Sequence, residues 1–177
     1  REIESIQATR ESTDGKLSAE DTFAQSSYVR WSTSSYSFEG HLEHGRAYFD
    51  VPDTGEGTEG VHYNQTDYGY DAMGRQNMTE TPGGTVTRTV FDVQGRAVAV
   101  YVGTDDTGAT DDDPTGASTS RSSGGGGENN MVRVSESLYD DGGCSSCGGG
   151  GGNRVAPIQH VDAAPTRRTE FEYDWRG

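Results

Sequence analysis

Several groups of residues have types and spacings that could do chemistry. Carboxylates gather between Gly103 and Gly116, where Asp105, Asp106, Asp111, Asp112 and Asp113 alternate with Gly and Thr. Hard oxygen ligands of this kind suit Ca²⁺, and Asp105, Asp111 and Asp113 are the residues expected to hold it. The spacing lacks the D-x-D-x-D-G run and closing Glu of an EF-hand loop, so a solvated acidic loop is the competing expectation. Cys144 and Cys147 form a CxxC that runs into five glycines, Gly148–Gly152. A zinc site would need a second Cys or His pair, and His160 is the nearest candidate. A redox pair would need a helix N-terminus beside it. A short local disulfide in an oxidising compartment is the reading retained, with free thiols as the alternative. In His41-Leu42-Glu43-His44 the two imidazoles fall on opposite faces of a strand, which favours structural or surface roles. Asn64-Gln65-Thr66 and Asn77-Met78-Thr79 are N-glycosylation acceptor sequences. No nucleophile elbow, P-loop or Rossmann fingerprint occurs.

The most regular charged residues belong to a repeat. Tyr70-Asp71-Ala72-Met73-Gly74-Arg75 and Phe91-Asp92-Val93-Gln94-Gly95-Arg96 both read aromatic-Asp-x-x-Gly-Arg, 21 residues apart. One step of 21 back from Tyr70 lies Phe49-Asp50, and another step back lies Tyr28. Tyr139-Asp140 follows Phe91 by 48 residues, and Tyr173-Asp174 follows by a further 34. Two functions suit such a pair: a repeated ligand-binding site, or an Asp that caps a turn and an Arg that covers it. A residue that recurs with the framework belongs to the framework, so the second is expected.

The elements that position these pairs are strands. Thr85–Phe91 is rich in β-branched residues and partly alternates polar with apolar. Asp92–Gly95 is a turn, where Asp bonds the backbone two residues on and Gly supplies a positive φ. Arg96–Val102 returns, giving a β-hairpin. His62–Thr81 reads the same way, and Thr81-Pro82-Gly83-Gly84 links the two. Tyr28–Trp31, Tyr36–Glu39 and His41–Phe49 are expected strands, with turns at Gly40 and Gly45. The aromatic before each turn is the expected inward anchor. Hairpins are marginal alone and stabilise one another in groups.

These motifs resemble the YD-repeat, or RHS-repeat, family over residues 36–177, most specifically 62–102. Tyr70–Arg75 and Phe91–Arg96 match its signature in full; Phe49-Asp50 and Tyr139-Asp140 match its aromatic-Asp half. Tyr173–Gly177 matches the first five positions, so Arg is the expected next residue and the sequence is read as part of a longer repeat protein. The resemblance implies a secreted or surface protein of bacteria, with relatives among animal adhesion receptors. It implies hairpins wound into a spiral sheet that can form a shell around a toxin or enzyme, and some members contact carbohydrate. The repeats themselves are non-catalytic. Here the regular repeats are few and the insertions long, so this segment is not expected to close a shell alone.

Composition agrees with a thin core. Leu, Ile, Val and Phe together number 24 of 177 residues, and 14 basic side chains face 29 acidic ones for a net charge of −15. That excludes a Leu-rich helical core and has the wrong sign for nucleic acid or an anionic membrane. No apolar run is long enough to span a bilayer as a helix. The expected class is all-β, built of consecutive antiparallel hairpins with Gly/Asp-rich insertions. Residues 1–27 are expected to be loosely ordered, 28–102 to carry the regular repeats, and 103–177 to carry repeats with long insertions, including a flexible Ser/Gly linker over 118–130. The expected function is a non-catalytic scaffold of shell, stalk or fibre, secreted or on the cell surface. No cofactor is expected apart from the candidate Ca²⁺. The expected partners are further repeats or other copies, through sheet edges, and glycans. The alternative function is a carbohydrate-binding module using exposed Trp31, Tyr101 and Trp175.

Overall fold

A computed structural model describes residues 1–10, 15–116, 129–140, 152–160 and 167–172. It is all-β, with consecutive antiparallel hairpins, as the alternation and turn signals require. Two compact units divide the chain at Gly84/Thr85, whereas the sequence pattern placed its boundaries at 27/28 and 102/103.

The first unit carries β1 (Glu2–Ala8), β2 (Tyr28–Tyr36), β3 (Leu42–Tyr48), β4 (Tyr63–Tyr70) and β5 (Gln76–Glu80), each paired antiparallel with the next. The N-terminal stretch, expected to be loosely ordered, therefore contains a seven-residue strand. It is held by the long-range register Glu2↔Ser35 to Ala8↔Tyr28, which no local pattern announces. An aromatic ladder crosses the strands. Trp31, only 7% exposed, stacks on Tyr48 with ring centroids 4.0 Å apart, and Tyr48 tilts against Tyr63 at 5.1 Å. Tyr28 meets the edge of Trp31, and the Arg46 guanidinium covers Tyr63 at 4.9 Å. Of these rings Trp31 and Tyr63 are buried, so large flat side chains stand where leucines stand in other cores.

Gly45, expected at a turn, lies mid-strand opposite Ser34 and Thr66. A Cβ there would meet the Tyr68 ring at 3.8 Å, an ordinary contact, so the strand backbone on both sides, and not a need for glycine, places Gly45 in β3.

The second unit carries β6 (Val86–Phe91), β7 (Ala97–Gly103), β8 (Val132–Tyr139), β9 (Arg154–Gln159) and the short β10 (Arg167–Arg168), again antiparallel in chain order. Val86, Ala99, Met131, Ala156 and Pro114 form its buried residues. The acidic insertion is an ordered loop here. Asn130 Oδ1 accepts from the Thr104 and Asp105 N–H groups, both at 2.8 Å, and Asn129 Nδ2 donates to the carbonyls of Thr107 and Pro114. Arg88 donates from Nε and Nη2 to Asp106 Oδ2. Asn129 and Asn130, expected at the end of a flexible linker, are thus the clamp of the loop: a side-chain amide both donates and accepts, and closes two backbone segments at once.

Candidate functional site

The candidate site is the row of hairpin turns that carries the repeated motif. In the first full copy, Gly74 N–H donates to the Asp71 carbonyl at 2.9 Å and Gly74 sits at φ +75°. This is a four-residue turn closed by a left-handed glycine, a hairpin connection that Asp-x-x-Gly favours. Asp71 Oδ1 accepts the N–H groups of Met73 and Arg75, both at 2.9 Å, while Oδ2 accepts Arg75 Nε at 2.6 Å. The second copy repeats this closely. Asp92 Oδ1 accepts from the Gln94 and Arg96 N–H groups at 2.9 and 2.8 Å, and Oδ2 accepts Arg96 Nε at 2.5 Å. Desolvation alone would raise both carboxyl pKa values. The following Arg's backbone N–H and guanidinium outweigh it and hold each below the usual carboxylate range. Both oxygens of each carboxylate are occupied inside its own turn, which suits neither proton transfer nor nucleophilic attack.

Two further copies are present in altered form. Tyr36-Ser37-Phe38-Glu39-Gly40-His41 makes the same turn with Ser for Asp and His for Arg. Gly40 N–H reaches the Ser37 carbonyl at 3.1 Å, Ser37 N–H reaches the His41 carbonyl at 2.8 Å, and His41 N–H reaches Ser37 Oγ at 3.2 Å. Sequence reasoning missed this copy because Tyr36 stands 34 residues before Tyr70, outside the 21-residue phase; aromatic-Ser-x-x-Gly was the signal. The phase picked out Phe49-Asp50 instead. Those residues begin the loop that joins β3 to β4, and Phe49 is 59% exposed, so it is no inward anchor. The loop itself displaced the copy by adding residues between strands. At the other altered copy, Asp140 Oδ1 accepts the N–H groups of Gly152 and Asn153 at 2.5 and 2.8 Å, and Asp140 N–H donates to the Asn153 carbonyl. Asn153 thus stands where Arg75 stands, with an insertion between the halves of the motif, whereas Gly152, at φ +142°, does not repeat Gly74.

Neighbouring turns are coupled by the residue after the glycine. The His41 ring stacks on Tyr70, centroids 4.4 Å apart and planes 14° apart. The Arg96 guanidinium lies 4.3 Å over the Tyr139 ring. In both cases the sixth residue of one motif covers the aromatic of the next, by stacking or by cation–π attraction. Arg96 therefore serves its own Asp92 and the following hairpin together.

The other expected residues do not converge. Among the described residues no three His, Cys, Asp or Glu side chains gather as metal ligands. Asp105 Oδ1 caps the Thr107 N–H, and Asp113 Oδ1 accepts from both Thr115 N–H and Oγ1. Each carboxylate serves its own bend of the loop. His41 and His44 part company, His44 Nδ1 lying 2.5 Å from Asp67 Oδ1. His160 Nε2 lies 3.4 Å from Glu136 Oε2. Asn64 is exposed on β4, but Asn77 is only 5% exposed, so its acceptor nitrogen is not presented for a glycan. Trp31, expected as an exposed sugar platform, is buried in the aromatic ladder, stacked on Tyr48 and in T-shaped contact with Tyr28. Tyr101 is half-buried on β7. Cys144, Cys147, Tyr173, Asp174 and Trp175 lie outside the described residues.

Comparison with protein-family models and with curated proteins finds no match to this sequence.

Proposed function

We propose that this chain is a structural repeat segment of the YD-repeat type, a non-catalytic scaffold of a secreted or cell-surface protein. The observation that carries this reading is the repeated Asp-Arg pair. Both carboxylate oxygens of each pair are spent on the turn that bears it, and His41 and Arg96 cover the aromatic of the next hairpin. A repeated pair built for catalysis would leave at least one carboxylate oxygen for a substrate. The test is Asp92→Asn in the intact chain, followed by urea unfolding and limited proteolysis. A scaffold role predicts a lower unfolding midpoint and faster cleavage near the β6–β7 turn. A variant that unfolds like the parent, yet abolishes glycan binding or a hydrolytic activity of the parent, would overturn the proposal.

A further inference from the structure

Asp113–Pro114 is the one Asp–Pro bond in the sequence, and Pro114 is fully buried within the acidic loop. The groups around that bond are tied down. Asp113 Oδ1 accepts the Thr115 N–H at 3.1 Å and Thr115 Oγ1 at 2.6 Å. The ring closed by the first of these bonds contains the Asp113–Pro114 peptide bond, so the carboxyl is folded back over it. Both bonds fall on Oδ1, which leaves Oδ2 as the free oxygen. Asp71 and Asp92, by contrast, spend both oxygens on their turns. The Asp113 carbonyl oxygen collects donors: Thr110 N–H at 3.0 Å, and Thr110 Oγ1 and Gly116 N–H at 3.5 Å each. Asp113 N–H donates to Thr110 Oγ1 at 3.0 Å, and the Pro114 carbonyl accepts Asn129 Nδ2 at 2.9 Å.

We propose that Asp113–Pro114 is a self-cleaving peptide bond, cut by the carboxyl of Asp113 itself. A carboxyl oxygen is a competent nucleophile when it is held against an activated carbonyl. Asp113 Oδ2 attacks the Asp113 carbonyl carbon and forms a C–O bond. Negative charge collects on the carbonyl oxygen, where the Thr110 and Gly116 donors stand. The carboxyl proton passes to the Pro114 nitrogen, the C–N bond breaks, and the nitrogen leaves as a secondary amine. Water then opens the cyclic anhydride. One peptide bond and one water give a free carboxyl group at Asp113 and a free amine at Pro114, with no oxidant, metal or cofactor. The cut leaves the fold in place. β7 and β8 lie on opposite sides of it in sequence and pair from Ala99↔Glu136 to Val102↔Val132, and Asn130 Oδ1 holds the Thr104 and Asp105 N–H groups across it. This inference goes beyond the scaffold reading and does not rest on it.

The test is incubation of the full chain at pH 5 and 37 °C with protease inhibitors, followed by intact-mass spectrometry over time. The Asp71 and Asp92 turns keep their contribution at that pH. Two fragments are expected, residues 1–113 and 114–177, whose masses sum to the parent plus one water. The reference is a free peptide of residues 110–116 in the same buffer, which has the same bond without the fold. The folded chain is expected to cut about tenfold faster or more, because its carboxyl and its carbonyl donors are already in place. Asp113→Glu, which moves the carboxyl one methylene away, should stop the cleavage. Asp112→Asn should leave the rate unchanged. An intact chain, or a rate equal to that of the peptide, overturns the proposal, since the fold then contributes nothing to the cut. So does cleavage of Asp113→Glu at the parent rate, which would mean a contaminating protease, and so does cleavage at other Asp residues in place of Asp113.

Discussion

Replacing Gly74 by Ala probes the coupling between hairpins, and a second glycine supplies the control. Gly74 adopts φ +75° and Gly40 adopts φ +90°, at the same motif position and in the same unit. An L side chain in that region costs about 1–2 kcal/mol at either site. The surroundings differ. A Cβ at Gly40 meets nothing within 4 Å, whereas at Gly74 it would stand 3.1 Å from His41 Cε1 and Nε2. The His41 ring must give way, and it is the ring stacked on Tyr70. Losing an aromatic pair adds about 0.5–1.5 kcal/mol. Gly74→Ala should therefore cost about 1.5–3.5 kcal/mol and Gly40→Ala about 1–2 kcal/mol, a difference near 1 kcal/mol. Urea unfolding followed by Trp31 fluorescence in a Trp175→Phe background measures both. The excess should vanish when His41→Ala is the background for Gly74→Ala, as a double-mutant cycle requires. Equal costs for the two glycines, within about 0.3 kcal/mol, would refute the claim that the sixth residue couples adjacent turns.

Acid should unfold the motif turns first. The Asp71 and Asp92 carboxyls have folded pKa values below their unfolded value near 4, so their contribution is present above about pH 4 and lost as pH falls through the folded values. Asp92→Asn should flatten this acid limb in a plot of stability against pH, and an unchanged limb would remove the turn from the explanation. Trp31→Ala should cost about 3–5 kcal/mol in urea unfolding, because it empties the middle of a ring stack; a surface-like cost below about 1 kcal/mol would contradict its burial. Asn130→Ala removes the acceptor of two loop N–H groups, and new protease cleavage between residues 103 and 116 should appear with the strands intact.

The sequence by itself determined the class and the grammar of this protein. β-branched runs between Asp-x-x-Gly turns specify hairpins locally, since each turn is completed by groups within five residues of one another. The caps of Asp71 and Asp92 were legible for that reason. What depends on distant residues was not. β1 became a strand only because β2 lies beside it, and Gly45 became a strand residue because β2 and β4 pair with it on either side. Asn129 and Asn130 became a clamp only because the acidic loop folds back onto them. Tyr36–His41 became a recognisable motif copy, and Asn153 the completion of the Tyr139-Asp140 half, only once their bonds were seen, because insertions destroy spacing in sequence while leaving pairing in space intact. The burial of Trp31 and Asn77 likewise follows from neighbours on other strands. Local turn chemistry is written in short spacings; which faces meet, and which side chain covers which ring, is settled by register across the sheet.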